Sequence, residues 1–142
     1  MARILIVEDH APDVFLVREA LRSSGVNFEL TQIDDGNAAR VYLTDAAGGS
    51  VPDLIFLDIN LPKVNGLEIL RMIRTWPHLA QVPVAILTSS SSPEDKEKAY
   101  RFGANLYITK PTGLSEFLAI VGGAAKQLLE AGEGGAGPCP AC

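Results

Sequence analysis

Leu54-Ile55-Phe56-Leu57-Asp58-Ile59-Asn60-Leu61-Pro62 opens with four apolar residues in succession and turns acidic at the fifth. An apolar run without polar alternation suits a strand covered on both faces, as in a parallel sheet flanked by helices. Three other runs share the pattern: Ile4-Leu5-Ile6-Val7, Val84-Ala85-Ile86-Leu87 and Leu106-Tyr107-Ile108. Glu29-Leu30-Thr31-Gln32-Ile33 alternates instead and reads as a fifth strand nearer a sheet edge.

Helical stretches lie between these runs. Pro12 opens the first, where its missing N–H does no harm; Val14, Val17 and Leu21 mark one face, and Gly25 stops it. The second is predicted from about Asn37 to Ala46, and the third from about Leu67 to Thr75 with Leu67, Leu70 and Ile73 inward. Ser92 reads as the N-cap of the fourth, with Pro93, Glu94 and Asp95 in its first turn. The fifth runs from about Leu114 to Leu129. Gly122-Gly123 inside it costs about 1 kcal/mol per glycine relative to alanine, which predicts a bend or a fraying end there. Strand and helix alternating five times predict an α/β fold with an open, doubly wound, five-stranded parallel sheet, five helices and right-handed crossovers.

Composition narrows the function classes. The 142 residues suit one domain, and 47% hydrophobic content supplies a real core. Twelve basic residues against 17 acidic ones give a net charge of −5, which argues against nucleic-acid binding. No stretch approaches the roughly 18 apolar residues of a membrane span. Met1-Ala2-Arg3-Ile4-Leu5-Ile6-Val7-Glu8-Asp9 turns acidic too soon for a signal peptide, so the expected address is the cytoplasm. Both cysteines sit in the last four residues, so no disulfide framework holds the fold. The folded unit is placed at residues 1–131, and the Gly-, Pro- and Cys-rich residues 132–142 read as a flexible tail. Cys139-Pro140-Ala141-Cys142 has redox or metal spacing but lacks the helix and further ligands of such sites.

In a sheet of this kind functional groups gather beyond the carboxyl ends of the strands. Those ends carry Glu8-Asp9, Asp58, Thr88-Ser89 and Thr109-Lys110-Pro111. If they are neighbours, one crevice holds three carboxylates, a hydroxyl and an ammonium. Crowded carboxylates repel one another, and a divalent cation relieves that. All-oxygen ligands open to water favour Mg²⁺, and no His or Cys is placed for a softer metal. A lysine, a hydroxyl and Mg²⁺ together match a dianionic phosphoryl group, with Asp58 as the nucleophile forming an acyl phosphate.

Glu8-Asp9, Asp58 within Leu57-Asp58-Ile59-Asn60-Leu61-Pro62, Gly66, Thr88, Tyr107 and Lys110-Pro111 resemble the receiver domain of two-component response regulators (CheY-like). Val7-Glu8-Asp9-His10-Ala11-Pro12-Asp13, Asp58 to Gly66 and Leu87-Thr88-Ser89-Ser90 resemble, more narrowly, the single-domain regulators that partner phytochrome-type histidine kinases. The resemblance implies strand order 2-1-3-4-5. It implies that Asp58 accepts phosphate from a phosphohistidine. Asp9, Asp58 and the backbone carbonyl of Asn60 would ligate Mg²⁺ directly, and Glu8 through water. Lys110 would pair with the phosphoryl group, with its bond to Pro111 cis. Gly66 would be a structural position. Thr88 would move towards the phosphate with Tyr107 turning inward behind it, altering the face made by the fourth helix, fifth strand and fifth helix. Asn60 and Ser90 would flank the phosphate and tune its hydrolysis. The implied partners are a sensor histidine kinase, a bacteriophytochrome among the candidates, then a histidine phosphotransfer protein or another downstream protein, and a second copy in a homodimer. With no further domain after Leu129, output passes to another protein.

Plainer readings stand beside these. Tyr107 fits ordinary core packing, His10 a loop position at the pocket rim, and His78 with Trp76 and Pro77 a surface feature at a helix end. A phosphohydrolase with an Asp nucleophile would want a second Asp two residues later, where Asn60 stands. A phosphate-independent adaptor of the same fold would be expected to lack some of the five site residues, and none is missing. A flavodoxin-like cofactor binder would need a Ser/Thr-rich phosphate loop after the first strand.

Overall fold

The apolar runs lie side by side in a computed structural model that describes residues 1–45 and 51–133. The strands are β1 (Ala2–Val7), β2 (Phe28–Ile33), β3 (Leu54–Leu57), β4 (Val84–Thr88) and β5 (Leu106–Thr109). They form one parallel sheet in the order β2-β1-β3-β4-β5. The helices are α1 (Ala11–Ser23), α2 (Gly36–Asp45), α3 (Gly66–Thr75), α4 (Pro93–Arg101) and α5 (Leu114–Glu133). The alternating strand, β2, is at an edge, as its pattern predicts.

Two packed layers explain the unbroken hydrophobic runs. Leu5, Val7, Ile55, Leu57, Val84 and Ile86 face a core shared with α2, α3 and α4. Ile4, Ile6, Leu54, Phe56, Ala85 and Leu87 face the opposite core, shared with α1 and α5. Successive side chains point to opposite faces, and both faces are covered, so every position in the run is apolar.

Helix ends follow their sequence signals. Ser92 caps α4, its side chain accepting from Asp95 N–H, and Asn65 caps α3, accepting from Leu67 N–H. Gly25 follows the end of α1 with φ +80°, the left-handed conformation glycine adopts freely. Arg74, half-buried near the end of α3, donates to the carbonyls of Gly103 and Val82 and to Asn105 Oδ1. It thereby ties the loop before β4 to the loop before β5. Burial lowers its pKa.

The fifth helix differs from expectation. It runs unbroken through Gly122-Gly123 and past Leu129 to Glu133. A Cβ on Gly122 would lie 2.8 Å from the Ala20 carbonyl oxygen and 3.1 Å from Ser24 Cβ. Gly122 therefore permits the close approach of α5 to α1, and that packing offsets its low helix propensity. A Cβ on Gly123 would meet nothing within 4 Å. Gly122→Ala should destabilise by about 1–2 kcal/mol through overpacking. Gly123→Ala should stabilise by about 0.5–1 kcal/mol through helix propensity. Urea unfolding of the two variants checks both signs. The Cys139-x-x-Cys142 pair, with the end of the tail, lies outside the described residues.

Candidate functional site

The strand order brings the acidic strand ends together. β1 pairs with β3 with Val7 opposite Leu57, so Glu8-Asp9 and Asp58 leave the sheet side by side. β4 lies next to β3 and ends at Thr88, and β5, next again, delivers Lys110. Lys110 N–H donates to the Thr88 carbonyl at 2.7 Å, which fixes where the lysine leaves the strand.

Glu8, Asp9 and Asp58 each offer a carboxylate oxygen, and these oxygens lie within 4.8 Å of one another. Glu8 and Asp58 are buried and Asp9 is exposed. Asn60 N–H donates to Asp58 Oδ1 at 3.1 Å, and Lys110 Nζ to Asp58 Oδ2 at 3.3 Å. Lys110 Nζ also donates to Asp13 Oδ2 at 2.7 Å and lies 2.6 Å from Glu8 Oε1. That last approach is an ion pair off the angle of a hydrogen bond, and the buried Glu8 Oε1 has no hydrogen-bond partner. Three carboxylates this close, two of them buried, fit a hard divalent cation.

Charge crowding perturbs the titrations. Burial, reinforced by the nearby Asp58 charge, pushes the Glu8 carboxyl from its ordinary 4.5 up to about 7 against the pull of Lys110. Burial works against the Lys110 ammonium, but its contacts with Asp13 and Glu8 outweigh it and hold the pKa above the usual lysine value. Asp13 is also partly desolvated, yet Lys110 and His10 bring its carboxyl below its ordinary value. A cation in this cluster must displace the Glu8 proton. Affinity for Mg²⁺ should therefore fall by about tenfold per pH unit below pH 7 and level off above it, as calorimetric titration would record. The sign for stability without metal is opposite. Between pH 4.5 and 7 the folded chain keeps a Glu8 proton that the unfolded chain has released, so this group's contribution is full below 4.5 and lost as pH rises through 7.

The response regulator receiver domain model matches residues 4–122. The chain is a response regulator receiver domain. Response regulator Rcp1 of Synechocystis sp. is 38% identical over 130 residues, covering 89% of this chain and 88% of Rcp1. The Mn²⁺-bound form of Rcp1 has a TM-score of 0.83 at 37% identity, covering 92% of this chain and 96% of that one. The phosphorylated cyanobacterial phytochrome response regulator RcpA has a TM-score of 0.84 at 39% identity, covering 92% and 95%. The narrower resemblance to phytochrome-associated regulators thus holds alongside the CheY-like fold.

In this receiver domain the remaining expected positions are as follows. Thr88 is fully buried, and its Oγ1 accepts from Ser90 N–H at 3.3 Å. Tyr107 is half-buried and donates its hydroxyl to the Ser90 carbonyl at 2.9 Å, with burial raising its pKa. Ser90 Oγ in turn donates to Asp95 Oδ2 at 2.6 Å, joining the β4–α4 loop to α4. Gly66 has a steric reason: a Cβ there would lie 2.0 Å from the Asp58 carbonyl oxygen, because the chain after Asp58 folds back on the start of α3. The expected cis bond at Pro111 is not found, and no described peptide bond is cis. Trans is the intrinsically favoured X–Pro isomer by about 0.5–1 kcal/mol, and Lys110 reaches all three acids with it. Asp13 escaped the sequence reading. Its signal was an acid four residues after Asp9, in the first turn of the helix that follows the site. His10 precedes that helix and lies at the rim as read, with Nδ1 2.9 Å from Asp13 Oδ2. His78 is half-buried, stacked on Trp76, with Nε2 3.1 Å from the Leu43 carbonyl, a packing role.

Proposed function

We propose that Asp58 accepts a phosphoryl group from a phosphohistidine of a sensor histidine kinase, making the chain a phosphoacceptor switch. The observation that carries this is the convergence of Lys110, Glu8 and Asp9 on the buried Asp58 carboxylate. An Asp58 carboxylate oxygen attacks phosphorus, the new O–P bond forms as the P–N bond breaks, and the imidazole leaves with the electron pair and takes up a proton. Lys110 offsets the charge of the phosphoryl oxygens, and the Thr88 hydroxyl would donate to one of them. Asp9, Asp58 and the Asn60 carbonyl would hold Mg²⁺, with Glu8 acting through water. When bound, the cation neutralises the crowded acids and the transferring group. Slow attack of water on the acyl phosphate resets the switch, so the chain is not a turnover enzyme.

Phosphorylation draws Thr88 towards the phosphoryl group and changes what the Ser90 loop offers Tyr107, biasing a two-state surface on α4, β5 and α5. That surface would meet a histidine phosphotransfer protein, another downstream protein or a second copy. The switching unit is residues 1–131. Because the relative RcpA is a phytochrome response regulator, a bacteriophytochrome-type kinase is the partner of choice. No described helix is long and apolar enough to cross a membrane, consistent with the cytoplasmic setting proposed.

The test is incubation with acetyl phosphate and Mg²⁺, read by intact mass. One added phosphoryl group, absent with a chelator and removed by hydroxylamine, is the outcome an acyl phosphate requires. No mass gain from either acetyl phosphate or an autophosphorylated kinase would refute it.

A further inference from the structure

The Lys110 ammonium is not centred on Asp58. It lies 2.7 Å from Asp13 Oδ2 but 3.3 Å from Asp58 Oδ2. Asp13 stands in the first turn of α1, outside the Glu8, Asp9 and Asp58 group, and no role above uses it. Lys110 is 12% exposed and Asp13 17%, so water and salt screen this pair less than a surface one. The ammonium donates to Asp13 and Asp58 and forms an ion pair with Glu8, and the contact with Asp58 is the longest of the three.

We propose that Asp13 is a positioning residue that holds Lys110 back from Asp58, so that an incoming phosphoryl group must win the ammonium from it. Asp13 thereby sets how readily the site fills. The inference rests on Asp58 being the phosphoacceptor. A phosphoryl group there is a dianion that needs the same ammonium. Each donor held by Asp13 is one less for a phosphoryl oxygen, and the Asp13 charge itself disfavours a second anion nearby. Both effects point the same way. A merely structural acid in the first turn of a helix would instead act through the helix dipole, altering stability without altering anion affinity.

The test uses the full chain with Mg²⁺ and beryllofluoride, a phosphoryl mimic, with bound and free fluoride resolved by ¹⁹F NMR. Asp13→Asn should tighten beryllofluoride binding about fivefold, the scale of releasing one partly screened ion pair. Asp13→Ser, which keeps a hydroxyl near the helix start, should show the same gain, and Asp13→Glu should stay near the parent affinity. In a Lys110→Met background the gain from Asp13→Asn should shrink to under about twofold, the part due to relieved anion repulsion alone. Unchanged or weaker binding in both Asp13→Asn and Asp13→Ser would overturn the proposal, as would a gain of undiminished size without Lys110. A parent chain that binds no beryllofluoride, or an Asp58→Asn chain that still does, would instead overturn the phosphoacceptor reading beneath it.

Discussion

Asp58→Asn should reduce phosphorylation by acetyl phosphate or a kinase at least about a hundredfold, because the neutral amide oxygen is a far weaker nucleophile than a carboxylate. The substitution is nearly isosteric. The Asn60 N–H can still donate to the side-chain oxygen that replaces Oδ1, so the loop after β3 keeps its anchor. Removing one of three crowded carboxylates also lessens repulsion with Glu8, whose raised pKa reflects in part the Asp58 charge. The variant should thus fold as well as the parent while staying unmodified, and the Glu8 carboxyl should titrate closer to its ordinary value. Intact mass after phosphodonor treatment gives the first result, and thermal unfolding the second. A phosphoryl group retained at full stoichiometry would mean that another side chain is the acceptor.

Lys110→Met should have the second largest effect, and on two quantities of opposite sign. Among the described residues Lys110 is the only lysine or arginine paired with Glu8, Asp13 and Asp58. Methionine keeps much of the stem but leaves Glu8 and Asp58 without their counter-charge and Asp13 with His10 alone. Breaking a largely buried ion network by removing one member costs about 3 kcal/mol. That loss should appear in chelator at pH 8, where Glu8 is ionised in the parent. It should shrink as pH falls towards 6, because Glu8, its pKa raised further without the ammonium, takes up a proton. Mg²⁺ should restore much of the stability and bind more tightly than in the parent, since no ammonium competes for the acids. Phosphoryl uptake should fall nonetheless, because the ammonium that offsets the phosphoryl oxygens is gone. Equal stability with and without Mg²⁺ would show that Lys110 is not the counter-charge of this cluster.

How legible each feature was depends on how local its cause is. The three central strands were legible because a buried parallel strand covers both faces within four or five residues, and Leu54 to Leu57 do so entirely; β5 has an apolar run of the same kind but lies at the edge, only Ile108 being buried. Ser92 and Gly25 were legible because capping and left-handed backbone are decided within a turn. The acids at the strand ends were legible because an apolar run that ends in a carboxylate marks the sheet's carboxyl edge. Gly122 was misread for the opposite reason. Propensity sees a weak helix former, whereas the Ala20 carbonyl that demands the missing Cβ lies about a hundred residues away in sequence, on α1.

Asp13 marks the same boundary inside the site. Its type and spacing are in the sequence, yet nothing local says that a lysine 97 residues later reaches it before reaching Asp58. Local patterning therefore settled the element types, the open α/β sheet and the chemistry available along its rim. Which helix packs closely on which, and how one ammonium is shared among three carboxylates, were settled by strand order and helix docking. The physical reason is range: propensity and periodicity act over a few residues, whereas close packing and Coulomb attraction in a desolvated cleft depend on distances that only the folded chain sets.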